Sequence, residues 1–491
     1  MTSLLGVMLL AASLFPGPKL AAATFWYEFY YDAILKGKYA FKIRELHKKY
    51  GPIVRISPCE LHIADPDYYT ELYSHRNPKD KNPYYLEPFA FPLSSFATCD
   101  HRLHRLRRGA MNPFFSRGRV LKHEALIQQL VQKMCKRIKE MLWMHGTVPL
   151  SLGYTCLTTD LINSFVMDRN YHYLDSSDWL PYWGQTLRDA SELATVSRQV
   201  TWMLPILRSF PLSWAEKMNP GLALFFCLAS RCRERINEIF EQRTKTAMEC
   251  TDHSKPIAEV RKHTLFDQVL DSKLPPEDKS EDRLEQEVRS AIGAGTETTS
   301  NALTVITFHL LSDPDKLRKL KEELRQLEPN PDAELKLCDL ENLPYLSSVV
   351  LEGLRLSYGV STRLQRTSQE PMQYGEYTIP PGTVVSMCSI LQHHDETIFP
   401  NSHSFVPERW LDLNERKRLE KYMVSFSKGS RRCIGMNLAL AEIFITVGTI
   451  FHRFDLELHN TTRDDIDVQH DLFIPRPKNM KTIGVQVKAR R

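Results

Sequence analysis

Phe426-Ser427-Lys428-Gly429-Ser430-Arg431-Arg432-Cys433-Ile434-Gly435 is the stretch on which the fold of this chain turns. It sets one cysteine among two arginines and two glycines. A lone cysteine is usually an inert core residue, and one beside arginines can be a nucleophile of lowered pKa. A zinc site would need further Cys or His at close spacing, and none is present. The other nine cysteines are scattered through the chain without a CxxC pair, so no disulfide framework is expected and a reducing compartment is.

One chemistry uses every position of the stretch. A thiolate ligating a haem needs a backbone that comes close to the macrocycle, which glycine permits. It needs N–H groups aimed at the sulfur, a cation for a haem propionate, which Arg431 supplies, and an aromatic ring beside the sulfur, which Phe426 supplies. The stretch resembles the haem-binding signature of the cytochrome P450 family at each fixed position: Phe426, Gly429, Arg431, Cys433 and Gly435. A chance match in a chain of this length is on the order of one in several thousand. The resemblance implies that Cys433 is the axial ligand of haem b iron, and that the thiolate's electron donation favours O–O cleavage.

Further motifs extend the resemblance. Ala294-Gly295-Thr296-Glu297-Thr298-Thr299 lies in a long helical pattern that starts at Ser280, an N-cap oxygen with Glu281 and Asp282 in the first turn, and stops at Asp313-Pro314. Read alone, a glycine and three threonines mark a weak spot or kink. By resemblance, Ala294 and Gly295 border the haem, Gly295 opens room for dioxygen, and Thr298 with Glu297 relays the protons its cleavage requires. Glu352 and Arg355 share one face of a helix over Leu343 to Ser357. By resemblance they are buried with Arg409 and lock the segment leading to the cysteine. Arg108 and Arg366 match propionate-binding arginines, and His104 stands where many members have tryptophan. The basic run Arg102, Arg105, Arg107, Arg108, Lys428, Arg431 and Arg432 implies a positive face on which an acidic reductase docks.

The remaining sequence fits one large catalytic unit. No repeat or long linker divides the 491 residues, and 42% are hydrophobic. A net charge of +5 gives no case for nucleic acid. Val54 to Ile63 reads as strand or hairpin, His123 to Phe240 as mostly helical, Gln373 to Ser386 as strands with a turn at Pro380-Pro381-Gly382, and the tail after Phe454 as β-rich. Leu4 to Phe15 is apolar but short for a span of about 20 residues. A membrane anchor, a signal peptide and a buried start are all readings of it, and the absence of basic residues before it weighs against the signal peptide. Val200 to Ser230 is apolar but broken by prolines and charges.

The expectation is a mainly α fold with small β-sheets, the cytochrome P450 fold, with residues 1–18 as a membrane-associating segment and 19–491 as the catalytic domain. The closest likeness is to fungal microsomal members of secondary metabolism. It implies an NADPH-dependent monooxygenase at the endoplasmic reticulum membrane, facing the cytosol, fed by cytochrome P450 reductase or cytochrome b5, that inserts one atom of dioxygen into a lipophilic terpenoid, polyketide or mixed product. Tyr84 to Ala97, Ala291 to Ala294, Val360 to Leu364 and Phe473 are the pocket segments by resemblance. Rival readings are a peroxide-using or isomerising relative, a haem sensor without turnover, and a helical binding protein without cofactor. The Thr298 motif speaks against an isomerising relative and the sensor, the Cys433 motif against the binding protein, and oxygen consumption with NADPH separates a peroxide-using relative.

Overall fold

The computed structural model describes residues 15–85, 91–200, 220–249 and 264–490. Among these, ten helices have ten or more residues. They are α1 (Tyr39–Tyr50), α2 (His101–Met111), α3 (Glu124–His145), α4 (Leu150–Met167), α5 (Pro181–Gln199), α6 (Pro220–Glu249), α7 (Glu281–Leu311), α8 (Pro314–Leu327), α9 (Pro344–Ser357) and α10 (Met436–Arg453). The strands are short: β1 (Ile53–Arg55), β2 (Glu60–Ile63), β3 (Met372–Tyr374), β4 (Tyr377–Ile379), β5 (Val384–Ser386), β6 (Leu456–Leu458), β7 (Val468–Leu472), β8 (Ile474–Pro477) and β9 (Val487–Ala489).

The mainly α reading with small sheets therefore holds. Val54 to Ile63 is an antiparallel hairpin, β1 with β2, and β5 joins it in parallel. The 373–386 region splits, because β3 and β4 form their own hairpin about Gly375 while β5 leaves for the first sheet. The tail supplies two further pairs, β6 with β9 and β7 with β8.

The 31-residue helix α7 is the axis of the fold. It lies along α4 and also packs on α6, α9 and α10. Buried residues from α3, α4, α7, α9 and α10 form one continuous core. Ser280 is its N-cap by position, but its side chain makes no capping bond. Asp313 caps α8 instead, accepting from the Lys316 N–H at 3.2 Å, so the Asp-Pro stop of one helix is the start of the next. Helix α7 runs unbroken through the threonines.

Two expectations fall largely outside the described residues: the Leu4 to Phe15 run, and Val200 to Ser230 up to residue 219. Phe15 itself is buried against Tyr377, and the Pro16 carbonyl accepts from the Arg55 N–H at 2.8 Å. No described helix is long and apolar enough to cross a membrane.

Candidate active site

The cysteine loop is held by α9. Glu352 and Arg355 are fully buried on its inner face. They form a bidentate pair at 2.8 and 3.0 Å. The other Glu352 lone pairs take the Val406 N–H, Arg409 Nε and Trp410 Nε1 at 2.8, 3.2 and 2.9 Å. Arg355 also donates to the carbonyls of His393, Ser402 and Ser404. This is the expected triad, and saturating hydrogen bonds make a buried ion pair tolerable. The arginines hold the Glu352 carboxyl below the ordinary range against the upward push of burial.

His393 carries the hold to the loop. Burial and Arg355 lower its pKa to about 3, so the ring is neutral. Its Nε2 accepts from the Val424 N–H at 3.0 Å, which leaves the proton on Nδ1, donated to the Arg355 carbonyl at 2.8 Å. The Ser425 hydroxyl adds a bond to the Leu354 carbonyl. The loop then closes on itself, with the Cys433 N–H donating to the Phe426 carbonyl at 2.9 Å. The sequence did not flag His393, Trp410 or Ser425, because each is an ordinary residue outside any motif.

The Cys433 thiol is accessible to solvent yet lies deep within the fold, three residues before the N-terminus of α10. Burial pushes its pKa up. The Gly435 N–H bonded to the sulfur and the charges of Arg108 and Arg432 pull it down. The N–H expected at the sulfur is thus present. Gly429 has a further reason within the protein. Its φ is +70°, and an added Cβ would lie 2.1 Å from the Tyr73 carbonyl oxygen, so close passage of the chain at Tyr73 demands the glycine. An added Cβ at Gly435 meets nothing.

Arg108, Arg366, Arg431 and His104 do come together, and Lys81 joins them. Arg431 donates to the Thr98 and Cys99 carbonyls at 2.7 and 2.5 Å, while its buried Nε has no partner. Arg366 lies over the Tyr73 ring and donates to the Gln365 carbonyl. Arg108 donates to Asn112, and Lys81 donates to the Phe96 carbonyl. Burial and these four cations press the His104 pKa down to about 2. Lys81 is likewise pushed well below its usual value, by burial and then by Arg431 and Arg366. Asp80 and Asp100 act on this group from the side of Arg431, and Glu287 acts on Arg108. A half-buried crowd of cations with so few carboxylates is a fitting seat for the two propionates of a haem. Lys81 was missed because nothing in its local sequence sets it apart.

The expected positive face is smaller than the basic run suggests. Arg102, Arg105 and Arg432 are exposed. Arg107 is tied to Asp278 at 2.6 Å, and Arg431 is turned inward.

On α7, Ala291, Ala294 and Thr298 share one open face. The Thr298 hydroxyl donates to the Ala294 carbonyl at 2.8 Å. Gly295 points elsewhere, since an added Cβ would stand 2.8 Å from Ile162 on α4. Its role is close helix packing, which corrects the expectation that it opens room for dioxygen. Glu297 and Thr298 keep separate partners: the Glu297 carboxylate pairs with Arg476 on β8 at 2.5 Å, and Arg476 reaches the Ser191 hydroxyl on α5 at 3.3 Å. Of the expected pocket segments, 86–90 lies outside the described residues. Phe96 and Phe473 meet edge to face at 6.0 Å. Arg363 turns its side chain away from the pocket into a buried ion cluster.

Residues 16–483 match the family profile described as Cytochrome P450. A cytochrome P450 monooxygenase of Ascocoryne sarcoides is 44% identical, over 97% of this chain and 93% of its own length. A tryptophan 6-hydroxylase of Fusarium equiseti is 38% identical, over 97% and 92%. An N-acetyltryptophan 6-hydroxylase of Emericella nidulans is 38% identical, over 94% and 90%.

Proposed function

The chain belongs to the cytochrome P450 family and is a monooxygenase of it, and from that premise we propose that Cys433 ligates the iron of haem b in an enzyme that inserts one atom of dioxygen into a lipophilic secondary metabolite. The family's haem, when bound, supplies the one-electron iron chemistry that activates dioxygen. The observation that carries the assignment is the Cys433 sulfur itself: accessible, bonded by the Gly435 N–H and faced by Arg108 and Arg432.

Each residue then has a task at a stated atom. The Gly435 N–H and the two arginines stabilise negative charge on the Cys433 sulfur. Arg108, Arg366, Arg431 and Lys81 hold the propionates, and neutral His104 fills the space between them without adding charge. Thr298 holds a proton on Oγ1 that is now donated along its own helix and can swing to a substrate or oxygen bound on the open face of α7. Glu297, fixed by Arg476, is the acid that resupplies it from the α5 side. The lipophilic substrate class rests on the Phe96–Phe473 ring pair and the alanines of α7. Two relatives are named for hydroxylating tryptophan or its N-acetyl derivative, and an aromatic metabolite of that size is the first substrate to try.

Electrons come from NADPH through cytochrome P450 reductase, with cytochrome b5 as a second donor, docked on the face carrying Arg102, Arg105 and Arg432. The enzyme sits on the cytosolic side of the endoplasmic reticulum membrane, held by residues 1–18. Leu20, Phe25, Trp26, Tyr30 and Ile34, all exposed, extend that apolar surface.

The test is the absorption spectrum of the dithionite-reduced protein with carbon monoxide, beside Cys433→Ser. A strongly red-shifted Soret band that is absent from the variant supports thiolate ligation. A histidine-type band in both proteins overturns it.

A further inference from the structure

The N-terminal segment has two faces of opposite character. Trp26–Phe29 is one helical turn and Tyr30–Ile34 continues it as a π-turn, in which the Leu35 N–H reaches back to the Tyr30 carbonyl. The outer face carries Trp26, Tyr30 and Ile34 at 71%, 51% and 58% exposure. The inner face carries Glu28 and Asp32, both buried. Single π-turns are uncommon, and they often mark functional places in a fold.

The two acids grip the active-site side of the molecule. Arg198, in the last turn of α5, donates to Asp32 at 2.8 Å and lies 3.8 Å from Glu28. Arg363 reaches Glu28, Asp32 and Glu60 at 2.5, 3.5 and 3.1 Å. Asp471 on β7 completes the cluster, close enough to feel Arg363 and Arg198. Four buried acids thus share two arginines, and burial leaves Asp32, Glu60 and Asp471 with raised pKa values. In a buried ion cluster so short of positive charge the desolvation cost can exceed the Coulombic gain, so it holds α5 with little net stability. The same segment makes a second tie to α5, Lys36 to Glu192 at 2.6 Å. It makes a third to β7, whose Asp471 N–H donates to the Gly37 carbonyl at 2.7 Å.

Both anchoring elements lead to the same residue. Helix α5 carries Ser191 and β8, paired with β7, carries Arg476. Together they fix Glu297.

We propose that the Trp26–Ile34 turn is a two-sided coupling element: its outer face seats on a lipid bilayer, and its inner acids, through Arg198, set how firmly α5 is held beside Glu297 in the middle of α7. This rests on the membrane placement proposed above. A bilayer is the occupant that fits, because the outer face mixes tryptophan, tyrosine and isoleucine in the manner of interfacial anchors. The face carries no exposed acid between Lys19 and Lys36. It also lies ten residues after the apolar Leu4 to Phe15 run. Lipid contact draws the turn outward, strains the Asp32–Arg198 and Lys36–Glu192 ties, and loosens α5.

Hydrogen exchange of the α5 amides in the full chain, with and without mixed phosphatidylcholine–phosphatidylserine vesicles, reads this directly and needs no turnover. In the parent protein, vesicles are expected to speed α5 exchange about threefold or more while α9 stays unchanged. Trp26→Ser with Ile34→Ser should keep the vesicle-free rate and lose the increment. Lys36→Gln, at an exposed ion pair that folding does not depend on, and Asp32→Asn should both exchange fast without vesicles and gain little from them. An increment that survives in Lys36→Gln and Asp32→Asn overturns the coupling. Equal α5 exchange with and without vesicles, while the parent protein floats with them, also overturns it. If the parent protein does not associate with vesicles at all, the membrane placement falls and the coupling with it. A normal carbon monoxide spectrum in the same sample keeps either failure separate from the haem assignment.

Discussion

The molecule handles buried charge in two opposite ways on the two sides of the cysteine loop. Under α9, Glu352 is surrounded by Arg355, Arg409, Trp410 and the Val406 N–H, and its lone pairs are filled. Beside α2, Lys81, Arg108, Arg366 and Arg431 crowd around His104 with few acids near them, Asp80 and Asp100 by Arg431 and Glu287 by Arg108. The first saturates Glu352 within the chain, though it leaves Arg409 Nη2 without a partner, and it belongs to folding. The second is incomplete within the chain and belongs to binding. Electrostatic sufficiency separates residues that build the loop from residues that receive the cofactor.

The largest effect is expected where the charge is complete. Glu352→Ala strands two buried guanidinium groups and should cost about 3–5 kcal/mol. Chemical denaturation and haem content check it; a variant that unfolds like the parent and keeps its haem would break the distinction. Next comes Arg431→Leu. It should leave the circular dichroism of the apoprotein intact but lower haem retention about tenfold or more, the worth of a charge-assisted hydrogen bond. Equal damage to apoprotein folding would place Arg431 with Glu352 instead.

A pH test sharpens the contrast. Burial holds His309, stacked on Phe405, at about 4 and His393 at about 3, against 6.5 for an unfolded chain. Below pH 6.5 the unfolded chain takes protons that the folded one refuses, so stability falls as pH drops. Each such histidine contributes about 1.4 kcal/mol per pH unit until its folded value is reached. His309→Phe should therefore show a shallower loss of melting temperature between pH 6.5 and 5; an unchanged slope would exclude it.

Lys81→Met has the most discriminating signature. Removing one cation from an overcrowded group should stabilise the apoprotein by about 1 kcal/mol and weaken haem retention. Thermal melts of both forms check the opposite signs, and the same sign in both would show that Lys81 has no part in the binding. Thr298→Ala should be the mildest for structure, with no change in melting or haem content. It should divert reducing equivalents from NADPH to hydrogen peroxide, and unchanged coupling would remove Thr298 from proton delivery.

What the sequence disclosed follows the same division. The cysteine loop, the Glu352–Arg355 pair with Arg409, and the alanine–threonine face of α7 were legible because each lies in a short stretch that resembles a family motif. Lys81, His393, Arg476 and Trp410 were not, because each contributes through an encounter far along the chain. Lys81 meets Arg431, and Arg476 meets Glu297, only after folding. Gly295 and Gly429 were read as constrained, and the structure supplies a packing cause for each. A glycine reports that something passes close by, and for Gly295 it is Ile162 and for Gly429 the Tyr73 carbonyl.

That contact of Gly295 with Ile162 has a consequence for anyone who would re-engineer the enzyme. Residue 162 lies on α4, behind the catalytic helix and away from its open face. Trimming it to valine or enlarging it resets the distance at which α7 rests, and so shifts Ala294 and Thr298 together relative to a bound substrate. Regioselectivity thus has a tuning screw on the back of the helix, in a layer that libraries aimed at pocket-lining positions never sample.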